Sequence, residues 1–296
     1  DAGFDEYCLW WLTERGDRFA NPNIFQNGKK IETTIDDYGP NIFSNFIVDY
    51  IERNKNTSFF VYYPMALVHD PFRPTPDSED WNDLNKRNIG NNQKYFSEMV
   101  TYMDKVIGEI SDALIKNNLD KNTILIFLGD NGTDTKVTTL NNGYEIQGSK
   151  GRTIKHASNV PLIINWNTKI KDYRVSDALI DLTDFYATFE DILNVKNYES
   201  YGKSLIPLLL DDSYMERDVL VTYYNPMWST RGLDRGIFAQ SKDYKLYKKG
   251  EFFKYSEDIY EKRPISTINL TKKENEVFNL LKKSLDTIPD LPKENY

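Results

Sequence analysis

The feature that most constrains this fold is an apolar run that ends in polar turn residues. Leu125–Leu128 reads LIFL and continues directly into Gly129-Asp130-Asn131-Gly132. Four apolar residues followed by this turn sequence predict a buried strand that stops abruptly. A second short apolar strand is predicted at 160–166, VPLIINW. Because open α/β sheets bind ligands at strand ends, Asp130 and Asn131 are candidate site residues, although Asp-Asn-Gly is equally common in ordinary turns.

The rest of the chain alternates predicted helices with predicted strands. The segment TSFFVYYP at 57–64 is rich in aromatic residues and closes at Pro64, which predicts another strand. The opening residues 1–32 predict irregular structure with a turn at Asn27-Gly28. Apolar residues that recur at helical spacing predict helices. These helices lie in the segments 36–54, 93–119, 181–193 and 272–288.

The pattern changes near Asp218, where short runs of alternating polarity are separated by turns. Such runs predict an antiparallel sheet. Strand–helix alternation followed by a β-rich tail predicts an α/β domain with a small C-terminal α+β subdomain that contains this sheet. We place the two domains at residues 1–215 and 216–296.

Composition narrows the possible functions. The 296 residues carry a net charge of −8, which argues against a general nucleic-acid binder. No run approaches the ~20 apolar residues that a transmembrane helix needs. The single cysteine, Cys8, excludes an internal disulfide and any zinc site built from cysteines. The sequence carries no signature of oligomeric state or compartment.

Four side chains are candidates for one site. Asp130 and Asn131 present oxygen atoms that suit a hard cation such as Ca²⁺ or Mg²⁺, but two ligands are too few for Ca²⁺. Lys150 follows at loop distance and could return an ammonium group to the same point. His69 is one of only two histidines and follows the strand predicted at 57–64. A cation, a lysine and a histidine around one point would bind a tetrahedral anion and stabilise charge growing on its oxygens.

Each of the basic candidates has a simpler structural alternative. Lys150 could be an ordinary exposed loop lysine, the commoner fate of that residue. His69 could cap its own loop through a backbone hydrogen bond. The second histidine, His156, lies in a polar loop, and we expect it to be solvated.

Three segments in this order resemble the downstream part of the sulfatase family, of the arylsulfatase type within the alkaline-phosphatase-like superfamily. They read FFVYYPMALVHDPF at 59–72, LIFLGDNGTD at 125–134 and GSKGRTIKHASNVPLIINW at 148–166. The segments 3–10 and 235–263 are similar to further parts of the family pattern. The resemblance implies an alkaline-phosphatase-like sheet flanked by helices, N-terminally incomplete, with a small C-terminal subdomain.

The same resemblance implies roles for the four candidates. Asp130 and Asn131 would bind a single Ca²⁺, in preference to Mg²⁺. Lys150 would contact the sulfate, and His69 would contact the sulfate or the leaving-group oxygen. Lys155 and His156 depart from the family pattern, which has a small residue in place of His156. No role is carried over to either, and both are departures that bear on the substrate pocket.

The chain also lacks a motif that the resemblance leads one to expect. The family nucleophile is a Cys or Ser in Cys/Ser-x-Pro-x-Arg, converted to formylglycine, and no such sequence occurs here. We therefore expect a truncated chain whose nucleophile segment lies upstream, and no turnover by the isolated chain. The parent is expected to hydrolyse sulfate esters of a small molecule or carbohydrate. A periplasmic or secreted location is compatible with the family.

Two other functions remain open on the sequence. A phosphatase or phosphodiesterase of the same superfamily would have Asp-His at this strand end, because imidazole suits zinc. Asp130-Asn131 and a total of two histidines favour a single hard ion instead. A protein that binds sulfated ligands without catalysis is the other alternative.

Overall fold

The structure is a computed structural model that describes residues 3–14, 16–89, 91–195, 200–210, 213–226 and 234–292. The chain divides into two compact units. The N-terminal unit comprises Asp1–Ile126 and Ile164–Asn167, and the C-terminal unit comprises Phe127–Ile163 and Thr168–Tyr296. The predicted domain boundary between residues 215 and 216 stays a prediction.

The N-terminal unit opens with a small antiparallel sheet. Strands β1 (Cys8–Trp10), β2 (Ile24–Gln26) and β3 (Lys29–Ile31) pair in the order β1-β2-β3. The predicted turn is confirmed, since Asn27 and Gly28 have φ of 46° and 82° between β2 and β3. The prediction of irregular structure around it is wrong, because strands of three residues are too short to show an alternating pattern.

Three α-helices follow this sheet among the described residues of the unit. They are α1 (Gly39–Asn54), α2 (Leu84–Ile89) and α3 (Tyr95–Lys116). The predicted apolar stripe of α3 is buried at Tyr95, Met99, Tyr102, Val106 and Leu114. Ile47 and Ile51 of α1 form a buried cluster with Ala113 and Leu114 of α3. The predictions of α1 and α3 are therefore confirmed.

The strand predicted at 57–64 is not confirmed. Residues 58–66 form no strand with any other segment in the described part of the chain. Val61 and Tyr62 are 37% and 68% exposed. Aromatic and β-branched composition favours an extended segment, but a strand forms only where a neighbouring strand accepts its backbone hydrogen bonds.

Both strands that flank the candidate site are present. Strand β4 (Leu125–Leu128) is followed by the hairpin of β5 (Thr138–Asn141) and β6 (Tyr144–Gln147). The short helix α4 (Lys155–Ser158) then leads to β7 (Leu162–Asn165), which pairs with β4. The positions of β4 and β7 are as predicted, but the side chains of β4 are half-buried rather than buried.

The C-terminal unit contains the predicted antiparallel sheet. After helices α5 (Asp184–Leu193) and α6 (Ile206–Leu209), the chain forms β8 (Leu220–Tyr224), β9 (Gly236–Gln240), β10 (Lys245–Tyr247) and β11 (Phe252–Phe253). The strand order is β11-β10-β9-β8. Helix α7 (Lys272–Asp286) packs Leu281 and Leu285 into a cluster with this sheet. Among the described helices, none has both the length and the apolar character to cross a bilayer.

A buried ion pair fixes the start of α5. Arg217 donates to both carboxylate oxygens of Asp184, at 2.6 and 2.7 Å, and Asp184 is 0% exposed. The backbone N–H groups of Asp181 and Lys203 also donate to this carboxylate, at 2.8 and 2.7 Å. Burial alone would raise the pKa of Asp184. The hydrogen bonds from Arg217 and the two N–H groups outweigh it and hold the pKa below its ordinary 3.8.

We expect Asp184→Asn to destabilise the fold by about 3 kcal/mol at neutral pH, because it leaves the Arg217 guanidinium buried without a counter-charge. A lowered carboxyl pKa gives stability that is present above the unfolded value of 3.8 and lost as pH falls through the folded value. The difference in free energy of unfolding between wild type and variant should therefore decrease below about pH 4. Urea unfolding at pH 7, 5, 4 and 3 measures it.

The matched control is Asp177→Asn, which removes a carboxylate that is 85% exposed and pairs with Lys242. This variant should unfold like the wild type, because exposed ion pairs contribute little. A gap between wild type and Asp184→Asn that stays constant from pH 7 to pH 3 would contradict the assignment.

Candidate functional site

Backbone hydrogen bonds bring the end of β4 against the loop that precedes β7. Gly129 N–H donates to Pro161 O at 3.0 Å, and Gly132 N–H donates to Ala157 O at 2.9 Å. Lys150 N–H donates to Thr133 O at 3.0 Å. The turn at 129–134 and the loop at 148–157 are thus neighbours, although 13 residues separate them in sequence.

Glycine is required where these backbones approach. A Cβ atom on Gly132 would lie 2.0 Å from His156 O, and one on Gly148 would lie 2.1 Å from Asp134 O. Real Cβ atoms do not approach backbone oxygens so closely, so a side chain at either position would separate the two segments. The glycines flanking the polar residues therefore serve close packing and not only turn formation.

Asp130 and Asn131 lie side by side at the end of β4. The Asn131 amide nitrogen donates to Asp130 Oδ1 at 2.5 Å. Asp130 is exposed and Asn131 is half-buried, so the pair is accessible. Rotating the Asn131 amide group by 180° would place Oδ1 where its nitrogen now lies. Oδ1 is the atom that would bind a hard cation.

The donor set fits a hard cation in chemistry but not in number. Ca²⁺ takes six to eight oxygen ligands, of which this pair would supply two side chains. In the part of the chain that the structure describes, no three His, Cys, Asp or Glu side chains lie close enough together to hold a metal ion. A complete cation site would therefore need ligands from beyond this set.

The structure places the two basic candidates in different units. Lys150 is half-buried, and its backbone is held beside the turn at 129–134 in the C-terminal unit. His69 belongs to the N-terminal unit and is exposed. Its Nδ1 lies 2.8 Å from Asp70 O and 3.0 Å from Asp70 Oδ1. The convergence of His69 with the other three residues stays a prediction.

A buried polar network holds the loop that carries Lys150. Lys245 and Glu261 pair at 2.9 Å, with side chains only 2% and 3% exposed. Lys245 Nζ also donates to Thr153 O, and Tyr247 donates to Glu261 Oε2 at 2.5 Å. The Asp234 carboxylate accepts from Thr153 N–H at 3.0 Å. Burial lowers the pKa of Lys245, while the carboxylate of Glu261 opposes that shift.

The prediction that His156 is solvated is not confirmed. Its Nε2 is buried and has no hydrogen-bond partner among the described residues. Its ring lies 6.2 Å from the Tyr260 ring in an edge-on arrangement. Burial, with a smaller effect of the Lys155 charge, lowers the pKa of His156 below its ordinary 6.5. His156 is therefore half-buried rather than fully solvated.

Family comparison accounts for this arrangement. The sulfatase family model matches residues 1–195. The chain belongs to the sulfatase family. The matched residues include all four candidates, His69, Asp130, Asn131 and Lys150.

Known sulfatases are similar along much of the chain. An endo-4-O-sulfatase of Bacteroides thetaiotaomicron is 25% identical over 271 residues, covering 77% of this chain and 51% of the relative. An N-acetylgalactosamine-6-O-sulfatase of the same organism is 26% identical over 198 residues, covering 61% of this chain and 36% of the relative. This sulfatase-family chain thus spans about half the length of the first relative.

Solved structures confirm the predicted fold class. The structure of BT4656 in complex with its substrate D-glucosamine-2-N,6-O-disulfate superposes with a TM-score of 0.72 at 19% identity. The match covers 96% of this chain and 76% of that chain. At this identity the similarity shows the fold alone, a mixed α/β architecture.

Sequence reasoning missed the β5–β6 hairpin between the two site segments. On the sequence, Lys150 lies at loop distance from Asn131, and no strand is predicted between them. A signal was available, because Asn142-Gly143 has φ of 51° and 82°, the left-handed pair that two-residue hairpin turns require. In this sulfatase-family chain the hairpin encloses space beside Asn131, which the sequence alone did not indicate.

Proposed function

We propose that this chain carries the downstream half of a sulfatase active site, and that the whole enzyme hydrolyses sulfate esters of carbohydrates. The observation that carries the proposal is the Asp130–Asn131 pair at the end of β4, with the Lys150 loop bonded beside it. This combination presents hard oxygen ligands at one strand end, with the backbone of Lys150 held beside the same turn. It suits a tetrahedral dianion whose charge is shared between a cation and a lysine.

Asp130 and Asn131 would hold Ca²⁺ through their side-chain oxygens. When bound, the cation would withdraw charge from the sulfate oxygens as a Lewis acid. Lys150 would bind a sulfate oxygen and stabilise the negative charge that grows there. His69 would contact the sulfate or the leaving-group oxygen, and the proton taken up by the departing alcohol would come from His69 or Lys150.

The proposal places the nucleophile and the remaining cation ligands in a part of the enzyme other than these 296 residues. A Cys/Ser-x-Pro-x-Arg sequence, in which the resemblance implies a formylglycine, does not occur among them. The described residues offer no cluster of three His, Cys, Asp or Glu side chains. The isolated chain is therefore proposed to bind sulfate esters but not to hydrolyse them.

The relatives support a sulfated carbohydrate as substrate. One Bacteroides relative is named for N-acetylgalactosamine 6-O-sulfate, and BT4656 was solved in complex with D-glucosamine-2-N,6-O-disulfate as its substrate. A zinc phosphatase is disfavoured because Asn131 stands where an imidazole ligand would be needed. A non-catalytic binder of sulfated ligands is the alternative that the missing nucleophile favours.

The test compares two chains and two esters. One chain is the present 296 residues, and the other joins them to an upstream Cys/Ser-x-Pro-x-Arg segment from the same reading frame. The longer chain should hydrolyse 4-nitrophenyl sulfate in a Ca²⁺-dependent way and leave 4-nitrophenyl phosphate nearly untouched. The short chain should hydrolyse neither. Hydrolysis by the short chain would contradict an external nucleophile, and preference for phosphate would contradict the sulfatase assignment.

A further inference from the structure

The turn at 149–152, which we call the lysine turn, carries Lys150 at its corner. Arg152 N–H donates to Ser149 O at 3.0 Å and closes the turn. Gly151 has φ of 83°, the left-handed conformation that the third position of a type II turn requires. The conformation of the turn therefore fixes the direction in which the Lys150 side chain leaves the backbone.

The Lys150 side chain is held through its backbone rather than through its charge. Its N–H donates to Thr133 O at 3.0 Å. Among the described residues, no hydrogen bond or ion pair engages the Lys150 ammonium. A flexible side chain on a fixed backbone samples less space, so an anion that binds it has less ordering to impose. The position of the ammonium thus depends on what fixes the lysine turn.

Every polar group of Thr153, the residue that follows the lysine turn, is engaged. Its N–H and its hydroxyl donate to Asp234 Oδ2, at 3.0 and 3.2 Å. Its carbonyl oxygen accepts from Lys245 Nζ, and its Oγ1 lies 3.0 Å from the Tyr247 hydroxyl. Thr153 is buried, so these contacts lie where water competes little. A single residue therefore joins the lysine turn to strand β10.

Asp234 attaches the lysine turn to a second strand of the same sheet. Its carboxylate accepts from Arg152 Nε at 3.0 Å, and its N–H donates to Gly151 O at 2.8 Å. With the two bonds from Thr153, it contacts three consecutive residues. Two residues after Asp234 the chain enters β9. The lysine turn is thus bonded to both β9 and β10 through one end.

The β10 side of this attachment is fixed in turn by Glu261. This residue has φ of 51°, a left-handed conformation that a residue with a side chain rarely adopts. Its carboxylate pairs with Lys245 at 2.9 Å and accepts from Tyr247 at 2.5 Å. Both partners of Thr153 on β10 are therefore oriented by the protein itself.

We propose that Thr153 is a positioning residue for Lys150. Through Thr153, the C-terminal antiparallel sheet holds the lysine turn in the conformation that presents the Lys150 ammonium to an anionic oxygen. The effect on anion binding rests on the proposed function, but the attachment of the turn to the sheet does not. Thr153 acts through Lys150 and not on the ligand, since its N–H, carbonyl and hydroxyl groups are all engaged by the protein.

Two substitutions at Thr153 in the 296-residue chain test the attachment. Thr153→Val keeps the shape of the side chain and removes its hydroxyl, whereas Thr153→Ser keeps the hydroxyl. Hydrogen exchange of the Lys150 N–H should be roughly tenfold faster in Thr153→Val, because the turn then opens locally. It should stay at the wild-type rate in Thr153→Ser. The N–H of Ala239 in β9 should change less, and an equal change at both positions would overturn the positioning role, because it would indicate a global loss of stability.

Binding of 4-nitrophenyl sulfate to the same chains in the presence of Ca²⁺ tests the consequence for an anion. Thr153→Val should weaken it by roughly tenfold, and Thr153→Ser should bind like the wild type. Asp234→Asn should weaken it in the same direction, and it keeps the test valid if Thr153→Val does not fold. Thr267→Val is the control, since Thr267 is exposed in a turn, and should change neither measurement. Wild-type exchange and affinity in Thr153→Val and Asp234→Asn would overturn the proposal.

Lys150→Ala separates this inference from the proposed function. It should weaken binding of 4-nitrophenyl sulfate and leave hydrogen exchange of the Thr153 N–H unchanged. If Lys150→Ala weakens binding but Thr153→Val does not, the positioning role fails and the proposed function stands. If the wild-type chain does not bind the ester, or Lys150→Ala binds it equally well, the proposed role of Lys150 fails. The exchange rates then decide the attachment of the turn by themselves.

Discussion

Asn131→Ala should lower kcat for sulfate ester hydrolysis by about 10²-fold or more in a longer enzyme that contains this chain. The substitution removes the amide oxygen from the proposed cation site and leaves Asp130 as the only side-chain ligand proposed at the end of β4. Asp130→Asn should have a similar effect, because it keeps the shape of the side chain and removes its charge. The measurement is kcat and its dependence on Ca²⁺ concentration, with 4-nitrophenyl sulfate as substrate.

The control for this pair is Asn85→Ala, the same truncation at an exposed position of α2 in the N-terminal unit. It should retain wild-type kcat and wild-type Ca²⁺ dependence. Thermal unfolding of each variant shows whether the fold is kept, since both Asp130 and Asn131 are accessible rather than part of the core. Full activity in Asn131→Ala would remove Asn131 from the set of ligands.

Glu261→Gln should lower the free energy of unfolding by about 3–5 kcal/mol. The substitution keeps the volume of the side chain but leaves the Lys245 ammonium buried without its counter-charge. The rings of Phe238 and Tyr247, at 3.9 and 4.9 Å from Lys245 Nζ, offer only weaker cation–π attraction. Urea unfolding monitored by tryptophan fluorescence measures the loss.

Glu257→Gln makes the same chemical change in a neighbouring exposed pair. Glu257 pairs with Lys254, and their side chains are 67% and 37% exposed. It should leave the unfolding transition unchanged. Adding Lys245→Met to Glu261→Gln should recover part of the loss, because the charge that lacked a partner is then gone. A single Glu261→Gln variant as stable as the wild type would show that the pair does not hold the Lys150 loop in place.

The long helices of this fold are readable from sequence, whereas several of its short strands are not. Helix α3 repeats its apolar residues over 22 positions, so its buried face is explicit. The opening strands have three residues each, which is too few for a period to emerge. The strand predicted at 57–64 is not confirmed for a different reason. Its composition favours a strand, but pairing depends on a neighbour that composition cannot reveal.

The candidate site was only partly readable for a related reason. Asp130 and Asn131 are marked by the end of an apolar run, and Lys150 by the glycines around it. Their adjacency depends on backbone contacts such as Gly132 N–H to Ala157 O, which no local pattern encodes. His156 stands in a polar stretch that reads as exposed. Its Nε2 is nevertheless buried and its ring lies against Tyr260, a residue more than 100 positions away in sequence.

The construction of the β5–β6 hairpin bears on how such chains diversify. All four residues of β5 are exposed, and Leu140 and Tyr144 are 74% and 75% exposed. Substitutions on this ribbon therefore disturb little of the hydrophobic interior. Sequence change can accumulate on the hairpin while the turn at 129–134 and the loop at 148–157 keep the backbone hydrogen bonds that join them.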